Sequence, residues 1–227
     1  MSIDVVVLGA AGRTGRLIVA EALRAGHRVT AAVRTPSAFP DAEGLRGERA
    51  DVRTPSAFPE ADGLRVERVD VRDPESLRDV VRGRDAVVSA IGPAGRKAAN
   101  LYSDGARATV AAMRDTGVDR LLAITSVGVR PDDPHHAWWY RGLIRPIGKD
   151  LYEDMARLEE IVRASPLDWT FVRPTYLQDR EPTGAYRVTD NSTPAGGWRI
   201  TRTAVAAFIV GELEARRWSR RAPSLAE

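Results

Sequence analysis

Cysteine is absent from the 227 residues, which excludes disulfides, thiolate metal sites and cysteine nucleophiles. Histidine is scarce, three in all with His135 and His136 adjacent, so no metal centre is expected. Lysine is almost missing: Lys97 and Lys149 are the only two, and every other basic side chain of this type is arginine. No hydrophobic run approaches the ~20 residues of a membrane-crossing helix. No basic segment leads into an apolar stretch ahead of the first strand, so the expected location is the cytoplasm. The net charge is only +3, and no basic run is longer than Arg216-Arg217 or Arg220-Arg221, which argues against a nucleic-acid surface.

What is present begins at the first strand. Ile3 to Leu8 is apolar and runs into Gly9-Ala10-Ala11-Gly12-Arg13-Thr14-Gly15, where helical spacing starts at once. Glycines at this spacing let the chain turn sharply and bring backbone N–H groups against a phosphate, whose charge the positive end of the following helix stabilises. The pattern is GxxGxxG, and Gly9, Gly12, Arg13, Thr14 and Gly15 are the candidate dinucleotide-phosphate residues.

The rest of the chain repeats strand and helix. Apolar helical spacing ends at Gly26, and His27 to Val33 reads as a strand. A strand is expected near Leu64–Val69, a helix from Pro74 to Arg82 and a strand at Ala86–Ala90. A helix around Ala98–Asp115, a strand at Leu121–Thr125 and a helix from Lys149 to Ala164 follow. Trp169–Val172 reads as a further strand, and a closing helix runs from Thr203 to about Arg216. Such alternation predicts one α/β domain, a doubly wound parallel sheet covered on both faces, with a small C-terminal substrate lobe. Residues 217–227 are expected to form a loose tail.

One segment is duplicated. VRTPSAFPDAEGLRGERAD at 33–51 is followed by VRTPSAFPEADGLRVERVD at 52–70, identical at 15 of 19 positions. Two units are too few for a solenoid, so the surplus copy is a tandem insertion in a loop, where added length costs little. Val66 and Val69 replace Gly47 and Ala50, which makes the second copy the better strand former. Arg34 and Thr35 then stand at the tip of the second strand. An acid there would bond the ribose hydroxyls of NAD, whereas an arginine accepts the 2′-phosphate of NADP, so NADPH is expected over NADH. Arg13 is expected to reach the same phosphate, and Arg53 is a rival to Arg34 by duplication.

These segments, with Val69-Asp70-Val71-Arg72-Asp73, Asp85 to Gly92, Leu122 to Ser126, Asp168 to Pro174 and Pro182 to Tyr186, resemble the atypical short-chain dehydrogenase/reductase superfamily. The likeness is to its branch of NmrA-like NAD(P)H-binding proteins and biliverdin reductase B, a flavin reductase. It spans nearly the whole chain and implies a Rossmann-like fold. It also implies that Asp70 and Val71 border the adenine, that Ala90, Ile91 and Gly92 border ribose and pyrophosphate, that Arg173, Pro174 and Thr175 lie toward the nicotinamide, and that Thr125 is a further cofactor-binding residue.

The Tyr-x-x-x-Lys proton relay of many such proteins is missing: aligned on Arg163-Ala164-Ser165, its lysine falls on Met155 and its tyrosine on Leu151. Ser126 is the first catalytic candidate, able to bond a substrate oxygen or the nicotinamide carboxamide, or else a strand-terminal serine bonding the backbone. Tyr152 and Lys149 follow. Trp138 and Trp139, within His135 to Tyr140, read as a roof over a flat substrate, as a satellite core or, less readily, as a membrane-surface contact. Tyr176 is a further substrate candidate. Two functions from different classes fit: an NADPH-dependent reductase of a planar conjugated or carbonyl-bearing small molecule, and an NADP(H)-sensing regulator. An isomerase or cyclase on the same pocket is a third.

Overall fold

The computed structural model describes residues 1–36, 63–93, 95, 98–135, 148–182 and 184–227. Most of the duplicated segment, Arg53 included, and both Trp138 and Trp139 lie outside the described residues.

Five parallel crossings build the sheet. β1 (Asp4–Leu8), β2 (Arg28–Val33), β3 (Leu64–Arg68), β4 (Ala86–Ser89), β5 (Arg120–Ile124) and β6 (Asp168–Pro174) lie in the order β3-β2-β1-β4-β5-β6, each pair parallel. α1 (Arg13–Arg24), α2 (Pro74–Val81), α3 (Leu101–Thr116) and α4 (Lys149–Arg163) connect successive strands, and α5 (Arg202–Ala215) closes the helical layers. Burial is alternate and complete. In β1, Val5 and Val7 join Ile18, Ile209 and Leu213 beneath α1 and α5, while Val6 and Leu8 join Leu77, Met113 and Phe171 beneath α2, α3 and α4. A strand covered on both faces has no polar side to show, which is why Val5-Val6-Val7-Leu8 reads as an unbroken apolar run.

Local chemistry sets the helix ends. Asp73 accepts the Glu75 N–H (3.0 Å) ahead of Pro74, and Thr201 accepts the Ala204 N–H (3.3 Å). α3 has no cap of its own, because Asn100 is left-handed (φ 58°) and its side chain makes no capping bond. Asp154 of α4 supplies one instead, accepting the N–H groups of Tyr102 (2.9 Å) and Ser103 (3.3 Å). That carboxylate locks α4 against α3 beside the ends of β4 and β5.

The second copy of the duplication provides β3, whose Val66 pairs with Ala31 of β2. The end of the chain corrects the expectation of a loose tail. Pro223–Ala226 is a fully buried strand, β10, parallel to β6 and antiparallel to β8 (Arg187–Asp190), so the sheet has eight strands among the described residues. Leu225 carries no exposed surface. Glu227 accepts the Thr201 N–H (3.0 Å) and pairs with Arg180 (2.6 Å), fastening the end beneath the site. The irregular last third also holds a small parallel pair, β7 (Tyr176–Gln178) with β9 (Arg199–Thr201).

Candidate functional site

Strand order reverses direction between β1 and β4, and in open sheets of this kind ligands bind at that switch point beyond the carboxyl ends of the strands. A trough of about 810 Å³ opens there. Gly9 turns out of β1 at φ +76°, and a Cβ on it would stand 2.7 Å from the Ala90 carbonyl oxygen, so only glycine lets the turn lie against the end of β4. Gly15 has a different role from the one expected: it does not line the trough, and a Cβ there would sit 2.2 Å from the Gly9 carbonyl oxygen. It is the residue that lets α1 pack onto its own turn. The N-cap of α1 is Gly12, with no capping side chain, so the first-turn N–H groups face the trough without a side-chain acceptor.

Gly9, Gly12, Arg13 and Thr14 line the trough on one wall, Arg34, Asp70 and Val71 on the second, Ala90, Ile91 and Gly92 on the third. Thr35 does not reach it. Among the described residues, four arginines, Arg13, Arg34, Arg72 and Arg202, line the trough against a single carboxylate, Asp70, whose Oδ1 accepts the Arg72 backbone N–H (3.0 Å). A cradle that only glycine permits, an uncapped helix start and a cationic lining together fit a polyphosphate ligand.

A second cavity of about 1190 Å³ adjoins the trough, and the two share Arg13, Thr125, Met155, Leu177 and Arg202. Ser126, Tyr152, Pro174, Thr175 and Tyr176 line this chamber, as does His135. Pro174 and Thr175 thus face the chamber and not the trough. Ser126 caps a short 3-10 turn at Val127–Val129, accepting the Gly128 N–H (3.2 Å), and keeps its own hydrogen to donate. Lys149 is not brought in: it lines neither cavity, is 63% exposed and pairs with Glu153 on its own helix (3.7 Å). Met155 is buried among apolar neighbours at the junction.

Several chamber residues escape sequence reasoning, Trp198, Arg202 and Asp179 among them. Trp198 stands beside Tyr176, the rings 6.4 Å apart and 20° from parallel, and these are exposed to 48% and 67%. The pairing of Tyr176 with Arg199 across β7 and β9 brings them together from 22 positions apart, and no local pattern signals it. Arg202 enters by the same pairing. Arg173, implied near the nicotinamide, lies instead behind the site: it is buried against Glu159 by bonds of 2.9 and 2.5 Å and lines neither cavity. Tyr186 packs edge-on against Phe208 (6.2 Å), and burial raises its phenol above the ordinary range. Among the described residues no cluster of three potential ligands could hold a metal ion, and no helix is long and apolar enough to cross a membrane.

An open, doubly wound parallel sheet with a glycine cradle at its switch point defines a dinucleotide-binding domain of the Rossmann class. The family model described as NAD(P)H-binding matches residues 9–216, and the chain belongs to that family. Among curated proteins it is similar to UPF0659 protein YMR090W of Saccharomyces cerevisiae, 25% identical over 222 residues, covering 92% of this chain and 86% of the relative. Among solved structures it resembles a wide-type short-chain dehydrogenase/reductase from Veillonella parvula in complex with NADP, with a TM-score of 0.79 and 16% identity over 100% of this chain and 95% of that one. A Streptococcus pneumoniae protein provisionally described as an NADH-flavin reductase is similar over 100% of both chains, with a TM-score of 0.73 and 23% identity. At these identities the structural likeness establishes the fold.

Proposed function

We propose that this chain is an NADPH-dependent reductase that passes hydride to a small planar conjugated or carbonyl-bearing acceptor, such as a flavin, quinone, tetrapyrrole or polyketide-like aromatic. The observation that carries the reading is the junction of the two cavities at Thr125, Met155 and Leu177, which sets a ligand in the chamber against the end of one in the trough. When bound, the nicotinamide supplies the hydride. The chain's own work is positioning. Arg34 takes the 2′-phosphate, the Tyr176–Trp198 pair offers a flat apolar surface, and Ser126 donates to an acceptor oxygen. An acceptor that takes its proton from water has no need of the missing Tyr-x-x-x-Lys relay.

Met155 at the lysine position is the one observation that favours a second reading, an NADP(H)-sensing regulator. Titration with NADPH and NADH, followed by loss of the reduced-nicotinamide absorbance with flavins, quinones and biliverdin, separates the two. Tight NADPH binding with turnover supports the reductase. Tight binding with no turnover across the panel overturns it in favour of the sensor.

A further inference from the structure

Asp179, just beyond β7, holds two guanidiniums that belong to opposite ends of the chain. Its Oδ2 contacts Nη2 of Arg13, the first residue of α1, and its Oδ1 meets Nη1 of Arg202, the first residue of α5, at 2.7 Å. Both arginines line the trough and the chamber, whereas Asp179 lines the chamber alone. One carboxylate therefore serves two cations, which leaves a net positive charge where the glycine cradle meets the substrate chamber.

The two arginines differ in freedom. Arg202 is only 14% exposed and its Nη1 also lies 3.4 Å from the Leu177 carbonyl oxygen, so β7 fixes it in place. Burial first, and the neighbouring Arg13 second, lower the affinity of its guanidinium for its proton below the ordinary range. A crowded, desolvated cation of this kind gains most from additional negative charge. Arg13 is 71% exposed and is free to change partners.

Arg13 was expected to share the 2′-phosphate with Arg34. It contacts Asp179, which lines only the chamber, and as the first residue of α1 it stands beside the first-turn N–H groups of that helix. We propose that Arg13 and Arg202 form a two-guanidinium clamp on the cofactor diphosphate, and that Asp179 is a resident counter-ion which the diphosphate displaces from Arg13. The ligand chemistry is a doubly charged diphosphate, matched to two guanidiniums that can each bond it through paired N–H groups. Asp179 offsets one of the clamp's two positive charges until that ligand arrives, at the cost of competing with it. The proposal rests on membership of the NAD(P)H-binding family and needs no turnover.

The test compares dissociation constants of the full chain for NADPH, NADH, ADP-ribose and adenosine 2′,5′-bisphosphate, which lacks a diphosphate. In Arg202→Ala the first three should weaken together by tenfold or more, while the bisphosphate changes little. Arg202→Lys, which keeps the charge and loses the fork, should fall between, and it serves as the reading if the alanine variant does not fold. Asp179→Asn should tighten NADPH and NADH several-fold, and the gain should vanish when Arg13→Ala is combined with it. Unchanged dinucleotide binding in Arg202→Ala, with altered acceptor kinetics only, would overturn the clamp and assign the arginine to the acceptor. Weaker binding in Asp179→Asn would overturn the displacement, because it would make the carboxylate a scaffold for the arginines. A protein that binds both dinucleotides and reduces nothing leaves the clamp standing and removes only the reductase.

Discussion

Thr125 donates its hydroxyl hydrogen to Glu159 at 2.8 Å, and that carboxylate has no exposed surface at all. The same two oxygens accept Nε and Nη2 of Arg173 and Nη2 of Arg163, the last at 2.7 Å. Arg173 is held further by the Asn191 side-chain oxygen at 2.6 Å. With its hydrogen committed, Thr125 presents only lone pairs to the junction of the cavities, so it can accept an N–H from a ligand and cannot donate.

Replacing Glu159 by Gln removes the charge that pairs two arginines, one of them buried, while keeping the shape of the side chain. The cost of stranding a buried cation is about 3–5 kcal/mol. Thr125→Val removes a single neutral hydroxyl and should cost about 1–2 kcal/mol. Chemical denaturation of both variants checks the order; a larger loss in Thr125→Val would mean that the hydroxyl, and not the ion pairs, organises this layer.

Leu225 sits in β10 with no exposed surface and packs into the cluster that includes Val172, Ile200 and Ile209. Leu225→Ala should lower stability by about 2–5 kcal/mol, the usual cost of a large-to-small change in a tight core. A change within ~0.5 kcal/mol, the size expected of a surface position, would restore the loose tail.

The parts of the fold that were legible in the sequence are those with local causes. Gly9 and Gly15 announce β1, the turn and α1 because a side chain at either would collide with the backbone of the turn, and Asp73-Pro74 announces α2 through its own cap. β10 was hidden because Pro223-Ser224-Leu225-Ala226 has little strand propensity; its conformation comes from pairing with β6 and β8. The site divides in the same way. Arg34 and Asp70 follow directly from strand ends, whereas Trp198 and Arg202 reach the cavities only through the β7–β9 pairing. Arg173 misled because an arginine at a strand end looks available for a ligand, and nothing nearby discloses that Glu159 already holds it.

Ser126 caps a turn and lines the chamber, and one substitution tests the proposed donor role against the cap. As an N-cap it accepts the Gly128 N–H, a bond worth about 1 kcal/mol, and as a chamber residue it has a hydrogen to donate. Ser126→Ala should lose about that much stability, leave NADPH affinity within twofold and reduce turnover about tenfold or more, a loss of ~1.4 kcal/mol in the transition state. Steady-state kinetics beside a binding titration makes the comparison. Full turnover with the stability loss intact would leave Ser126 as a cap alone.

Deleting residues 33–51 should be tolerated. β3 is built from the second copy, Leu64–Arg68, and after the deletion Ala32 is followed by Val52 and Arg53, the same two residue types that now follow it as Val33 and Arg34. Loop shortening of this size changes the closure entropy by less than ~1 kcal/mol. The shortened chain should melt cooperatively and bind NADPH within a few-fold of the original. Loss of the cooperative transition would show that both copies support the sheet.

The proposed preference for NADPH rests on Arg34, the cation placed directly after β2 on the trough lining that also includes Asp70. NADPH and NADH differ only in the 2′-phosphate, so a residue that touches that group must distinguish them, and one that touches the diphosphate cannot. A charge-assisted bond of this kind contributes about 1.5–3 kcal/mol, which corresponds to roughly ten- to hundredfold in affinity. Arg34→Ala should therefore weaken NADPH by that factor and leave NADH within about twofold, in contrast to Arg202→Ala, which should weaken both. Calorimetric titration of each variant with each dinucleotide gives the four numbers needed. Equal losses for the two cofactors in Arg34→Ala would remove the 2′-phosphate from this arginine and with it the basis for preferring NADPH.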